Sequence, residues 1–99
     1  MRTRHGSMPT ERPERYAKQL ASHWAARGEV VEDGGSTTLR FDSGQVVVMR
    51  PAEGRLELEV SVPDDGELDA DRFAQVVADH LQRFGQRDAL TVAWSGPAG

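Results

Sequence analysis

The stretch of residues 69–94 constrains the fold most, because it predicts a helix, a glycine stop and a short strand. The side chains of one helical face recur at i, i+4, i+7, i+8 and i+11; they are Phe73, Val77, His80, Leu81 and Phe84. Asp69 is the predicted N-cap, since its carboxylate can accept a hydrogen bond from a free amide of the first turn. Gly85 is predicted to close the helix in the left-handed conformation. A helix with one apolar stripe requires a surface to pack against.

A second helix with the same pattern is predicted between residue 11 or 13 and residue 27. Pro13 suits the first helical position, where a missing N–H costs nothing, and Gly28 ends the helix. The stripe of this helix consists of Tyr16, Leu20, His23, Trp24 and Arg27. Both predicted helices therefore carry a histidine at the same step of their stripe.

Four segments between the helices have strand character and are separated by turn signals: residues 29–33, 36–41, 45–50 and 55–62. The fourth segment alternates most clearly, with Leu56 and Leu58 inward and Glu57 outward, which is typical of a sheet that is solvated on one face. Residues 46–49 are apolar on both faces. This segment is therefore either a central strand or part of a subunit contact, so a homodimer is one possible assembly.

The element order predicts an α+β fold, a two-layer sandwich in which an antiparallel sheet of four to five strands carries two helices on one face. The predicted order is α-β-β-β-β-α-β, and Leu90, Val92 and Trp94 supply the last strand. A chain of 99 residues forms one domain, which we assign to residues 10–96. Residues 1–9 show no periodicity and are predicted to be a disordered tail.

Composition excludes several classes of function. A net charge of −4 argues against nucleic-acid binding, which requires a basic face. No apolar run is long enough to span a bilayer. The absence of a secretory signal and of cysteine favours a cytoplasmic protein. A small molecule or another protein remain as partners, and no motif identifies a cofactor.

His23 and His80 are the main candidates for a functional site. If the two stripes face each other, both imidazoles enter one cavity with Trp24 as a wall, where they could ligate a transition metal or haem iron, shuttle protons or line a pocket for an organic ligand. The alternative is that each histidine only bonds a nearby backbone carbonyl. Spacing within one helix does not show whether the rings meet, and two ligands without a third make a poor metal site.

Aromatic side chains form a second set of candidates. Tyr16, Trp24 and Trp94 either pack in the core, as aromatics at helical spacing usually do, or wall a ligand pocket near one end of the sheet. With the two histidines they complete the predicted set of ligand-binding residues.

Basic residues on the helices form a third set. Arg15 and Lys18 share a stripe on the outer side of the first helix, and Arg83 lies near the end of the second helix. They could hold a carboxylate or phosphate. The alternative is a solvated face, with Arg83 complementing the negative end of its helix.

Known catalytic arrangements do not fit the chain, so no catalytic residue is predicted. Ser22 and His23 are neighbours in a helix and point about 100° apart, which prevents a nucleophile–base pair. Glu57 and Glu59 share a solvated face, which does not favour acid–base catalysis.

Two runs resemble the bacterial family known as domain of unknown function 2218. They are R-P-E-R-Y-A-K-Q-L-A-S-H-W at residues 12–24 and A-D-H-L-Q-R-F-G-Q-R-D-A-L-T-V-A-W at residues 78–94. With the strands between them, the resemblance covers nearly the whole chain from Thr10 onward. The resemblance implies no established activity. It does imply an iron-related context, because members are similar to a small domain that can accompany siderophore-interacting flavin reductases.

The sequence therefore leaves three hypotheses. The favoured one is a non-catalytic ligand-binding or accessory module that uses the helix-covered side of the sheet. The second is an iron-linked accessory protein that binds haem, metal or a siderophore through His23 and His80. The third is a structural oligomerisation module.

Overall fold

The computed structural model describes residues 2–64, 69–85 and 90–95, and places two helices on one face of an antiparallel sheet. The elements in chain order are β1 (Arg2–Pro9), α1 (Pro13–Trp24), a single 3-10 turn (Ala25–Arg27), β2 (Gly28–Asp33), β3 (Ser36–Phe41), β4 (Val46–Ala52), β5 (Arg55–Val62), α2 (Ala70–Phe84) and β6 (Ala93–Ser95). The predicted α+β class is confirmed. The predicted strand number was too low, because the sheet has six strands in the described part of the chain.

The strand order across the sheet is β2-β3-β4-β5-β1-β6. The hairpins that join β2 to β5 make these four strands antiparallel neighbours, as predicted. β1 pairs with β5 on one side and with the short β6 on the other. Both β1 contacts are antiparallel and join distant parts of the sequence.

The prediction of a disordered tail at residues 1–9 is wrong, because Arg2–Pro9 forms β1. Its register with β5 runs from Arg2 opposite Val62 to Pro9 opposite Arg55. Met8 is completely buried, and Arg4 pairs with Asp71 of α2. The folded unit therefore begins before residue 10, while its predicted end at residue 96 lies outside the described residues.

Gly6 permits a close approach between β1 and β6. A Cβ atom at this position would lie 2.5 Å from Cε3 of Trp94, far inside normal contact. The indole of Trp94 therefore packs directly on the backbone of β1, because glycine leaves the space that a side chain would fill.

The core lies between the helices and the sheet. α1 packs across β3, β4 and β5, and α2 packs on β5 and β1. The inward side chains of β5 are at most 2% exposed, which confirms the predicted register; they are Leu56, Leu58, Val60 and Val62. β4 is the third strand of six, so it is an interior strand, and its inward residues Val47 and Met49 are buried.

The ends of α2 test two sequence predictions. The Asp69 carboxylate accepts a hydrogen bond from the backbone N–H of Arg72 at 2.7 Å, which confirms the N-cap. The predicted left-handed Gly85 is wrong, since its φ is −103°. Glycine is required there for space, because a Cβ atom would lie 1.9 Å from Cδ1 of Leu90. In the described residues, neither helix has the length and apolarity to cross a membrane.

Candidate functional site

His23 of α1 and His80 of α2 meet across the seam between the helices. Their ring centres lie 5.1 Å apart and the ring planes are inclined by 50°. The two histidines were expected to meet because they occupy matching steps of the apolar stripes of α1 and α2. This contact is observed. His23 belongs to the exposed edge of its stripe, while His80 is half-buried.

The two imidazoles contact each other and two further aromatic rings. Trp24 lies 4.7 Å from His80 and 5.9 Å from His23, measured between ring centres. Phe84 also contacts both imidazoles, at 5.6 Å and 6.5 Å. Trp24 belongs to this cluster. The predicted shielding from bulk water is wrong for His23, because this residue is exposed.

His80 is held in one tautomer by its own helix. Its Nδ1 atom lies 2.8 Å from the carbonyl oxygen of Val76. A carbonyl oxygen only accepts hydrogen bonds, so Nδ1 carries the proton and donates it. In the neutral ring, the lone pair is therefore on Nε2. The alternative predicted for each histidine, a bond to a nearby carbonyl, is thus observed for His80 together with the contact between the rings.

The arrangement does not suit haem. Two imidazoles on a haem iron lie on opposite faces of the macrocycle, whereas these two rings contact each other and the same indole of Trp24. Within the described residues, no group of three or more histidine, cysteine, aspartate or glutamate side chains is placed to hold a metal ion.

An open cleft of about 530 Å³ lies on the other side of Trp24. Its apolar wall consists of Trp24, Phe41 and Phe73. The Trp24 and Phe41 rings lie 5.3 Å apart at 70°, and the Phe41 and Phe73 rings lie 5.7 Å apart at 87°. These edge-to-face contacts fix the aromatic surface. Polar residues also line the cleft and form its rim: Arg27, Asp42, Ser43 and Gln45.

Local backbone contacts place this rim. The amide of Asp42 donates to the carbonyl of Arg27 at 3.1 Å, so the 3-10 turn and the β3–β4 turn are joined. Gly44 closes the β3–β4 turn with a φ of 101°, a conformation that favours glycine. The Ser43 hydroxyl donates to the side-chain amide oxygen of Gln45. An amide oxygen is not a general base, so this pair does not activate Ser43 as a nucleophile.

Two predicted ligand-binding residues lie away from this region. Tyr16 is buried near the start of α1, two helical turns or about 12 Å before Trp24. Trp94 packs on Gly6, and its strand β6 forms the opposite edge of the sheet from β2 and β3. The two tryptophans therefore do not wall one pocket, and both pack in or against the core, which is the first of the two predicted alternatives.

The predicted anion-binding residues are exposed on the helices. Lys18 lines a separate groove of about 340 Å³ beside the β2–β3 hairpin, together with Glu14, Glu32 and Asp33. Three carboxylates around one lysine repel an anion, so the groove does not favour that function. An anion-binding role for Arg15 and Arg83 stays a prediction.

Sequence reasoning did not select Arg27, Phe41, Asp42 and Gln45 as site residues. Two signals were present, because Arg27 extends the stripe of α1 beyond Trp24, and Phe41 is the last inward residue before a turn. Arg27 and Phe41 come together only if the end of β3 that carries Phe41 lies under the end of α1. The periodicity of the sequence does not show how the helix and the strand are placed.

Comparisons with known proteins agree with this fold. The sequence profile of the family described as "Uncharacterized protein conserved in bacteria (DUF2218)" matches residues 5–95. The match begins inside β1, as expected for a strand of the domain. The NMR structure of PA4090 from Pseudomonas aeruginosa is 26% identical and superimposes with a TM-score of 0.70 over 96% of each chain. No functionally curated protein matches the sequence.

Proposed function

The chain belongs to the bacterial family of uncharacterized proteins DUF2218, and we propose that it is a non-catalytic accessory module that binds a small organic ligand in the cleft beside Trp24. One observation carries this proposal: three aromatic side chains and several polar side chains line the same cleft. Small-molecule sites combine an apolar surface for most of the ligand with a few polar groups that fix its orientation.

The cleft favours a flat ring system that bears one carboxylate. Such a ring packs on Phe41 and Trp24, which are already held edge to face at 5.3 Å. The exposed guanidinium of Arg27 on the rim offers two parallel donors to a carboxylate. Asp42 on the same rim repels a second negative charge. The preferred ligand is therefore a monocarboxylate, or a zwitterion whose amine faces Asp42.

Binding without catalysis is the simpler chemistry for this cleft. Its charged groups, Arg27 and Asp42, are exposed on the rim rather than enclosed with a substrate. Exposed groups cannot stabilise charge as strongly as groups in a water-excluded site. The Ser43 hydroxyl is committed to Gln45.

Calorimetric titration with indole-3-acetate and its uncharged analogue indole-3-acetamide tests the proposal. We expect Arg27→Ala to weaken binding of the carboxylate about tenfold, equivalent to about 1.4 kcal/mol, and to leave the amide unaffected. Arg50→Ala is the matched control, because Arg50 is an exposed arginine on β4 that pairs with Glu59. Failure of both compounds to bind, or equal losses in the two arginine variants, would contradict the proposal.

A second candidate is an iron-linked accessory role through His23 and His80. The contact between the two imidazoles supports it, although their arrangement does not suit haem. An anaerobic calorimetric titration with Fe²⁺ separates the candidates. Binding of Fe²⁺ that disappears in His23→Ala would favour the iron-linked role over the cleft.

A further inference from the structure

We propose that His23 and His80 form a two-imidazole site for a borderline divalent transition-metal ion, such as Cu²⁺, Ni²⁺ or Zn²⁺, on the seam between α1 and α2. This site is separate from the proposed organic-ligand cleft and does not depend on it. It rests on the ring contact, the fixed tautomer of His80 and the exposure of His23.

The separation of the rings matches a metal site. Two imidazoles bound to one tetrahedral ion through nitrogens at about 2.0–2.1 Å have ring centres roughly 5 Å apart. The observed separation of His23 and His80 is 5.1 Å. The ring planes are inclined by 50°, so the rings do not form a parallel stack. In a parallel stack, neither ring would direct a nitrogen at an ion between them.

The hydrogen bond of His80 prepares it as a ligand. Metal-bound histidines commonly donate their second ring N–H to a backbone carbonyl or carboxylate, which fixes the ring and raises the basicity of the ligating nitrogen. Nδ1 of His80 already makes this contact with the Val76 carbonyl at 2.8 Å. Nε2 is consequently the nitrogen available for a metal.

The surroundings select the class of ion. His23 is exposed and His80 is half-buried, so an ion can reach the pair and keep water in its other coordination positions. Imidazole nitrogen suits copper, nickel and zinc, whereas magnesium and calcium prefer oxygen ligands. Trp24 and Phe84 pack against both rings and restrict their movement.

Calorimetric titration with Ni²⁺ and Cu²⁺ in a non-coordinating buffer tests the site on the full chain. We expect His23→Ala and His80→Asn each to weaken binding by at least about tenfold. Asparagine at position 80 has an amide N–H that can replace the bond to the Val76 carbonyl, so this variant removes the ligand and retains the local contact. Saturating Ni²⁺ should raise the Tm of the unmodified chain but of neither variant.

His5→Ala is the matched control, because His5 is the third histidine of the chain and lies exposed on β1. Its substitution should leave metal binding unchanged. Equal binding by the unmodified chain and the His23→Ala/His80→Asn double variant would overturn the proposal, as would binding of Mg²⁺ with the same affinity as Ni²⁺. Arg27→Ala should retain metal binding, so failure of the organic-ligand proposal is distinguishable from failure of the metal site.

Discussion

His80 contacts its own helix and the neighbouring helix at the same time. Nδ1 bonds the Val76 carbonyl, and the ring packs against His23 and Trp24. The sequence could predict the meeting of the histidines, because equal steps in two facing stripes bring side chains to the same depth. It could not predict whether the rings enclose a cavity, since that depends on side-chain rotamers and on the tilt between the helices.

A double-mutant cycle tests the contact between the histidines. We expect His23→Ala and His80→Ala to be non-additive in the free energy of unfolding, with a coupling of about 0.5–1.5 kcal/mol, because contacting aromatic rings interact at this level. Urea denaturation of the two single variants and the double variant measures the coupling. As a control, the effects of His5→Ala and His23→Ala on the free energy of unfolding should be additive. Additive effects of His23→Ala and His80→Ala would contradict an interaction between these two residues.

Alanine substitution of a core residue should lower the free energy of unfolding far more than substitution of an outward strand residue. We expect Leu81→Ala and Phe73→Ala each to lower the free energy of unfolding by about 2–5 kcal/mol, because both side chains are buried in the core. Glu57→Ala should change it by less than about 0.5 kcal/mol, since Glu57 is an outward residue of β5 whose exposed pair with Arg55 contributes little. Denaturant unfolding that ranks Glu57 with Leu81 would contradict the register of β5.

At the scale of elements, β1 shows where periodicity fails. The inward positions of this strand are Arg4, Gly6 and Met8, so only one of them carries a large apolar side chain. A tertiary contact explains each of these residues. Arg4 pairs with Asp71, Gly6 leaves space for Trp94, and Met8 is buried in the core. These reasons lie in α2 and β6, far along the chain, and are invisible in a local pattern. The helices and hairpins were predictable because their signals are local.

Substitutions in β1 distinguish a strand from a tail. We expect Met8→Ala to lower the free energy of unfolding by about 2–5 kcal/mol, because Met8 is completely buried. Ser7→Ala, at the neighbouring outward position, should change it by less than about 0.5 kcal/mol. Thermal or urea unfolding measures both. Two neutral substitutions would mean that residues 2–9 do not pair with β5 in solution.

The N-cap of α2 gives a second test at this scale. Asp69→Ala should destabilise the protein by about 1 kcal/mol, because the backbone N–H of Arg72 loses its acceptor. Asp69→Asn retains an oxygen acceptor and should be close to neutral, since asparagine caps helices as well as aspartate does. Equal losses in the two variants, measured by denaturant unfolding, would show that charge rather than capping stabilises this end of the helix.

At the scale of the whole molecule, the cleft is made by parts that are separate in sequence. Trp24 ends α1, Phe41 ends β3 and Phe73 lies in the first turn of α2. Their assembly follows from how the helices lie on the sheet, which explains why sequence patterns identified the layers but not this site.

The two tryptophans provide the most direct test of ligand binding in the cleft, because Trp24 lines it and Trp94 packs on Gly6 at the opposite edge of the sheet. The measurement is a ¹H–¹⁵N NMR titration with indole-3-acetate, in which Trp94→Phe assigns the two indole N–H signals. We predict a saturable shift of the Trp24 signal and an unchanged Trp94 signal. A shift of Trp94 alone, or of neither signal, would contradict the proposed site.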